Sequence, residues 1–139
     1  MKIEDLMSKN VITVHIDDRL LKVKELFEHN SFHHLMVVND KGELAAVISD
    51  RDYTKAIHPN IDKPSATVKD LATLNKRVHQ IVKRKPVVIA EHAPLRTVIK
   101  FFYENKISCL PVIDSNKRPV GVISWRDLLR WLYEKSNKE

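Results

Sequence analysis

The sequence predicts an α+β fold made of two copies of one β-α-β-β-α unit. Two observations carry that prediction. Val47-Ile48-Ser49-Asp50-Arg51-Asp52 is answered by Val122-Ile123-Ser124-Trp125-Arg126-Asp127, 75 residues later (124 − 49). The same offset pairs Leu20 with Leu95, Val23 with Val98, Phe27 with Phe102, Asn30 with Asn105, Leu35 with Leu110 and Val37 with Val112, without a gap. A chain that repeats itself in register is built from two equal supersecondary units.

The first copy opens with a short helical lead-in, Ile3 to Met7. Val11-Ile12-Thr13-Val14 is β-branched and predicts a strand. Asp17 or Asp18 is placed to cap a helix whose apolar face is Leu20, Val23, Leu26 and Phe27. Asn30 stands where a left-handed C-terminal cap is expected. Leu35 to Val38 is the second strand, Asn39-Asp40-Lys41-Gly42 a hairpin turn, and Leu44 to Ile48 the third strand. Ser49 then opens a helix to about Ile57.

The second copy follows the same order. Val87-Val88-Ile89 is its first strand, and Pro94 suits the first turn of the next helix, which carries Leu95, Val98, Ile99 and Phe102. Leu110 to Ile113 and Pro119 to Ile123 form the hairpin. Ser124 opens a last helix with Leu128, Leu129 and Leu132 facing inward. The boundaries predicted are a first repeat over 1–58, a linker and connecting helix over 59–77, a second repeat over 78–133 and a polar, frayed tail over 134–139. The stretch His58 to Ala66 has linker composition, and Thr67 to about Val82 turns helical again.

The bulk numbers narrow the class. A chain of 139 residues makes one ordinary domain or two tightly paired halves, and 43% apolar content is normal for a globule. The single cysteine, Cys109, excludes an internal disulfide and any cysteine-based zinc site, and suits a reducing, cytoplasmic home. Met1-Lys2-Ile3-Glu4-Asp5 lacks the apolar core of a secretion signal, and no apolar run approaches a membrane span. A net charge of +6 favours an anionic partner: a nucleotide, a nucleic acid or an acidic protein. Lys76-Arg77 and Lys83-Arg84-Lys85 are the clusters a nucleic acid would use, but no aromatic platform or recognition helix accompanies them.

Catalysis and metal binding find no motif. Gly42 and Gly121 are the only glycines, so the glycine-rich phosphate loops are impossible, and no paired-acid or triad spacing occurs. The chain is therefore read as not an enzyme. His33 and His34, adjacent before a strand, point to opposite faces and make a poor joint metal site. No metal site is expected, and Cys109 reads as a small strand residue.

The repeated motif has two physical readings. Ser49 closes a strand and sits at a helix N-cap, where backbone N–H groups lack partners and favour an anion. Ser49 adds a hydroxyl donor and Arg51 a fork of donors suited to phosphate, while the Asp52 carboxylate can accept from both hydroxyls of a ribose. Ser124, Arg126 and Asp127 offer the same set. The other reading is a capping box, in which the acid satisfies the N-cap N–H. Asp50 and Trp125 fill the variable position: Asp50 would add negative charge near a phosphate, and Trp125 would stack, plug a cleft or pack at a dimer face.

The doubled order, with a strand ending in Ile-Ser-x-Arg-Asp each time, resembles the CBS-domain pair, or Bateman module, named after cystathionine β-synthase. The resemblance runs from about Ile3 to Tyr133. It is carried by Ala46 to Asp52, by Cys109-Leu110-Pro111-Val112-Ile113 and by Gly121 to Asp127. It implies two repeats packed through their sheets about a pseudo-twofold axis, with two clefts that hold an adenosine-containing ligand such as AMP, ADP, ATP or S-adenosylmethionine. It implies a regulatory, stand-alone module with no obligatory cofactor, commonly a homodimer, that signals to a protein partner by conformational change or dimer contacts. Asp52 and Asp127 would hold ribose, and Ser49, Ser124, Arg51 and Arg126 phosphate. Thr13, Val14, Leu35 and Met36 would line one base pocket, and Val88, Ile89, Leu110 and Pro111 the other. Val88 lacks the hydroxyl of Thr13, Leu35-Met36 lacks the proline of Leu110-Pro111, and Ala46 stands where the second copy has Gly121, so the two clefts are expected to differ in affinity. The alternatives are a ligand-free interaction scaffold, in which both motifs are caps, and a nucleic-acid-binding module.

Overall fold

The computed structural model describes residues 2–82 and 85–137. Its elements are α1 (Ile3–Leu6), β1 (Thr13–His15), α2 (Leu20–His29), β2 (His34–Val38), β3 (Leu44–Ser49), α3 (Asp50–Ala56), α4 (Val68–Leu71), a 3-10 turn (Ala72–Asn75), α5 (Val78–Ile81), β4 (Ile89–Ala90), α6 (Leu95–Glu104), β5 (Cys109–Ile113), β6 (Pro119–Ser124) and α7 (Trp125–Ser136). The tandem β-α-β-β-α order is thus the observed one. At the 75-residue offset α1 matches α5, α2 matches α6, β2 matches β5 and β3 matches β6 end to end.

Each copy builds a three-stranded mixed sheet. β1 runs parallel to β2, which is antiparallel to β3; β4, β5 and β6 repeat the arrangement. The register slips at the same place in both hairpins, between Val37 and Val38 and between Val112 and Ile113. Strand alternation puts successive side chains on opposite faces. Val14, Leu35, Val37, Ala46 and Ile48 share the face that packs on Leu20 and Val23 of α2. Ile89, Leu110, Val112 and Ile123 share the face that packs on Val98 and Phe102 of α6.

The sequence repeats and the compact units are different partitions of the chain. One unit spans Ile12–Lys85; the other joins the residues up to Val11 with those from Pro86 onward. The lead-in α1 therefore packs in the core of the second copy, where Ile3 and Leu6 meet Leu110, Ile123 and Leu128. Its counterpart α5 serves the first copy: Val78, 0% exposed, joins Val14, Leu35 and Ile48. Backbone bonds fix both docks. Ser8 exchanges N–H···O bonds with Val122 at 2.9 and 3.0 Å, and the amides of Leu20 and Val78 donate to Lys76 and Asp18 carbonyls, each at 2.9 Å. The first dock explains Gly121. A Cβ there would collide with the Met7 side chain, so the glycine admits the lead-in segment.

Several local expectations are corrected. Asn30 is extended (φ −137°), not left-handed; its side-chain amide donates to the Leu26 carbonyl at 2.9 Å and so caps the helix without a strained backbone. Asn105 does the same to Phe101. Arg19, not Asp17 or Asp18, is the N-cap of α2, and Asp18 instead accepts from the His15 N–H at 2.7 Å. Pro94 is itself an N-cap. The connector from Thr67 is no single helix: it breaks into α4, the 3-10 turn and α5, with Lys76 and Arg77 extended between. The last helix continues through Glu134 to Ser136, with the Lys135 ammonium 5.0 Å from the Trp131 ring, where a frayed tail was expected.

The hairpin tips differ in one respect. Asn39 and Asp114 each use a side-chain oxygen to accept two backbone N–H bonds within the turn. The left-handed position is Gly42 (φ 76°) in one turn and Lys117 (φ 65°) in the other. That conformation disfavours a side chain by about 1–2 kcal/mol, against roughly 0.5–1 kcal/mol for the added freedom of glycine in the unfolded chain. Lys117→Gly is therefore expected to stabilise the protein by about 0.5–1 kcal/mol, read as a higher urea midpoint at unchanged slope; an equal or lower midpoint would contradict the assignment.

Candidate functional site

The strand-to-helix turns bring the repeated motif residues together. In the first copy Ser49 ends β3 and caps α3. Its hydroxyl accepts the Asp52 N–H at 3.0 Å, and its own N–H donates to Asp52 Oδ2 at 3.0 Å. In the second copy the Ser124 hydroxyl accepts the Asp127 N–H at 3.3 Å, while its N–H and hydroxyl donate to Asp127 Oδ2 at 2.8 and 3.0 Å. Both motifs are therefore capping boxes. This geometry leaves a carboxylate with an oxygen to spare, since a capping box occupies only Oδ2.

What happens to the other oxygen differs. Asp52 is exposed, and among the described residues no group hydrogen-bonds its Oδ1. Asp127 is buried, and Arg130 Nη2 donates to its Oδ1 at 2.7 Å. Arg130 stands one turn along α7; the residue at that place on α3 is Lys55, which makes no ion pair with Asp52. Arg51 and Arg126 are exposed beside their carboxylates.

The variable position is tethered in both copies. Asp50 is paired with His33 Nδ1 at 2.9 Å, and this bond holds its carboxyl below the usual range. Trp125 Nε1 donates to the Ile107 carbonyl at 3.0 Å, and its ring meets Phe102 at 5.1 Å between centroids. Each residue thus reaches back to the segment before the second strand of its own copy.

The strand residues divide by face. Val14, Leu35, Ile89 and Leu110 are 0–3% exposed within the two cores, so only their backbone is available to a ligand. Thr13, Met36 and Val47 form a cross-strand row on the opposite face of the first sheet, and Pro111 and Val122 the equivalent row on the second; Met36 and Pro111 are buried too, while Thr13 is exposed. Val88 precedes β4 and carries no polar atom. β1 and β4 are edge strands, so alternate backbone N–H and C=O groups turn away from the sheet.

A family model for the CBS domain matches residues 3–59 and again 78–134. The chain belongs to the CBS-domain family. It is 31% identical over 131 residues to a CBS domain-containing protein of Dictyostelium discoideum, covering 91% of this chain and 88% of that one. The solved CBS domain pair of protein MJ0100, in complex with 5′-methylthioadenosine and S-adenosyl-L-methionine, superposes with TM-score 0.76 at 25% identity and covers 97% of this chain and 98% of that one. Protein MJ1225 of Methanocaldococcus jannaschii superposes with TM-score 0.77 at 28% identity over 94% of this chain but 47% of its own. The chain thus spans about half of MJ1225.

Within this CBS pair, sequence reasoning missed two side chains. Arg130 lies outside the repeated hexapeptide and gives no signal until the three-residue helical spacing to Asp127 is considered. His33 was set aside as one of a poor metal pair, whereas its partner is Asp50. The first basic cluster is committed: Lys76 Nζ donates to the Ala56 carbonyl at 2.8 Å and Arg77 Nη1 to the Asp17 carbonyl at 2.7 Å. Lys83 and Arg84 lie outside the described residues. Among the described residues no three histidine, cysteine or carboxylate groups gather as metal ligands. No helix among them is long and apolar enough to cross a membrane. Burial pushes the Cys109 thiol up to about 12, so it stays protonated at neutral pH.

His34 faces Ser49 across the β2–β3 ladder. Burial holds its imidazole below the ordinary value of 6.5, against the opposing pull of the Asp50 and Asp52 charges. The unfolded chain therefore takes up this proton more readily than the folded one. The contribution of His34 to stability is complete above pH 6.5 and is lost as pH falls through the folded pKa. Urea unfolding at pH 7.5 and 5.5 is expected to show a larger loss of stability in the wild type than in His34→Gln; equal losses would contradict this.

Proposed function

We propose that the chain is a regulatory adenine-nucleotide module. It takes an adenosine-containing ligand, one of AMP, ADP, ATP or S-adenosylmethionine, at the strand-to-helix turns of its repeats. The observation that supports this most is the pair of register-matched carboxylates, Asp52 and Asp127, each fixed by its own capping box beside a serine and an arginine. The likeness to the ligand-bound MJ0100 pair over nearly the full length of both chains adds to it. The carboxylate accepts from the ribose hydroxyls. Ser49 or Ser124, with Arg51 or Arg126, meets the phosphate or the charged tail of the ligand. Thr13 and the backbone of the edge strands meet the base, and the buried Met36 and Pro111 back the sheet behind it. No reaction is assigned to the site: the module acts from the cytoplasm on a protein partner, as a homodimer, by changing which conformation its ligand favours.

A second reading has an observation in its favour. Both Ser-x-x-Asp motifs are complete capping boxes without a ligand, so an interaction scaffold needs nothing further from them. A thermal-shift titration with AMP, ADP, ATP, S-adenosylmethionine and a GMP control separates the two. Ligand at about a hundred times its dissociation constant adds roughly 2.7 kcal/mol, or about 5–10 °C for a chain of this size. The expected result is such a rise with at least one adenosine ligand and none with GMP, and no ligand shift in Asp52→Ala/Asp127→Ala. The double variant itself melts lower, since each serine N–H loses its carboxylate partner, worth about 0.5–1.5 kcal/mol apiece. No rise with any adenosine ligand would establish the scaffold reading instead.

A further inference from the structure

We propose that the two nucleotide ends are unequal because the second is occupied by its own arginine: Arg130 stands in for a ligand on Asp127, and the first end, at Asp52, binds first. The inference rests on the proposed adenine-nucleotide reading and concerns which end a ligand takes.

A ribose diol needs carboxylate lone pairs. Asp52 offers them, with Oδ2 used by the Ser49 N–H and Oδ1 bare among the described residues. Asp127 has three donors already. Two come from Ser124 to Oδ2, at 2.8 and 3.0 Å, and one from Arg130 to Oδ1, at 2.7 Å. Both this bond and one from a sugar hydroxyl are charge-assisted by the carboxylate, so a ribose gains Oδ1 only by displacing the arginine. The Asp127 side chain is 12% exposed, whereas Arg130 is 56% exposed, so the carboxylate is shielded and its cation stands in solvent. The clasp is a latch on the carboxylate, not a fixed part of the core. The strand residues favour the same order. Thr13 supplies a hydroxyl where Val88 has none.

The latch follows from one substitution between the copies. A lysine at position 55 leaves Asp52 unpaired; an arginine at position 130 reaches Asp127. A regulatory pair built this way has a sensing end that reads ligand at low concentration. Its second end fills only when ligand competes with an intramolecular cation.

Equilibrium dialysis of the full chain with radiolabelled AMP, and separately S-adenosylmethionine, tests this. Wild type is expected to bind one ligand per chain tightly, with the second at least tenfold weaker. Asp52→Asn removes the tight class. Arg130→Ala and Arg130→Gln bring the second class to within about threefold of the first, while Lys55→Arg weakens the first end. Circular dichroism and the melting curve of the two Arg130 variants confirm that they fold. Two equal classes in the wild type, or two classes still tenfold apart in both folded Arg130 variants, would overturn the latch and leave the nucleotide reading intact. No binding of either probe, nor of ADP or ATP, to the wild type or to any variant would overturn the nucleotide reading and the latch with it.

Discussion

The Ser–Asp capping box is the interaction on which the rest depends. Each copy must turn from a sheet edge into a helix within one residue, and the first amides of that helix have no internal partners. Ser49 and Ser124 satisfy one such amide with their hydroxyls, and Asp52 and Asp127 reach back to satisfy the serine N–H. The same bonds fix the carboxylate in one rotamer at the mouth of the turn. A cap and a ligand site are therefore not competing descriptions of this motif. The cap consumes one oxygen and aims the other.

The two copies solve the turn identically and then diverge around it. Lys55 and Arg130, Asp50 and Trp125, and Thr13 and Val88 are the same places filled differently. Each difference alters charge or hydrogen bonding near the carboxylate while leaving the scaffold untouched, because the cores under both sheets repeat residue for residue at Leu20/Leu95, Val23/Val98, Leu35/Leu110 and Val37/Val112. A duplicated fold can in this way hold two ends of graded affinity, and a graded pair reports a wider range of ligand concentration than two equal ends.

Much of this was legible in the chain itself. The ungapped offset revealed the repeat, and alternation and helical spacing placed the strands and long helices, because those signals arise from residues that are neighbours in sequence. The failures share a cause. The Leu20 N–H at the start of α2 is taken by the Lys76 carbonyl, 56 residues on (76 − 20), and α1 is placed by Leu110 and Ile123. Nothing local announces these partners. Asn30 shows the complementary limit: the residue suits two caps, and only the structure distinguishes the side-chain cap from the left-handed one.

The account stands on one contact, a ribose diol on the Asp52 carboxylate. Isothermal titration of the wild-type protein with AMP and with its 2′,3′-dideoxy analogue isolates that contact, since the two ligands share base and phosphate. The account predicts at least a tenfold loss of affinity at the tight end for the dideoxy ligand in the wild type, and no difference between the ligands in Asp52→Asn/Asp127→Asn. Equal affinities in the wild type would contradict it and return Asp52 to the role of a helix cap alone.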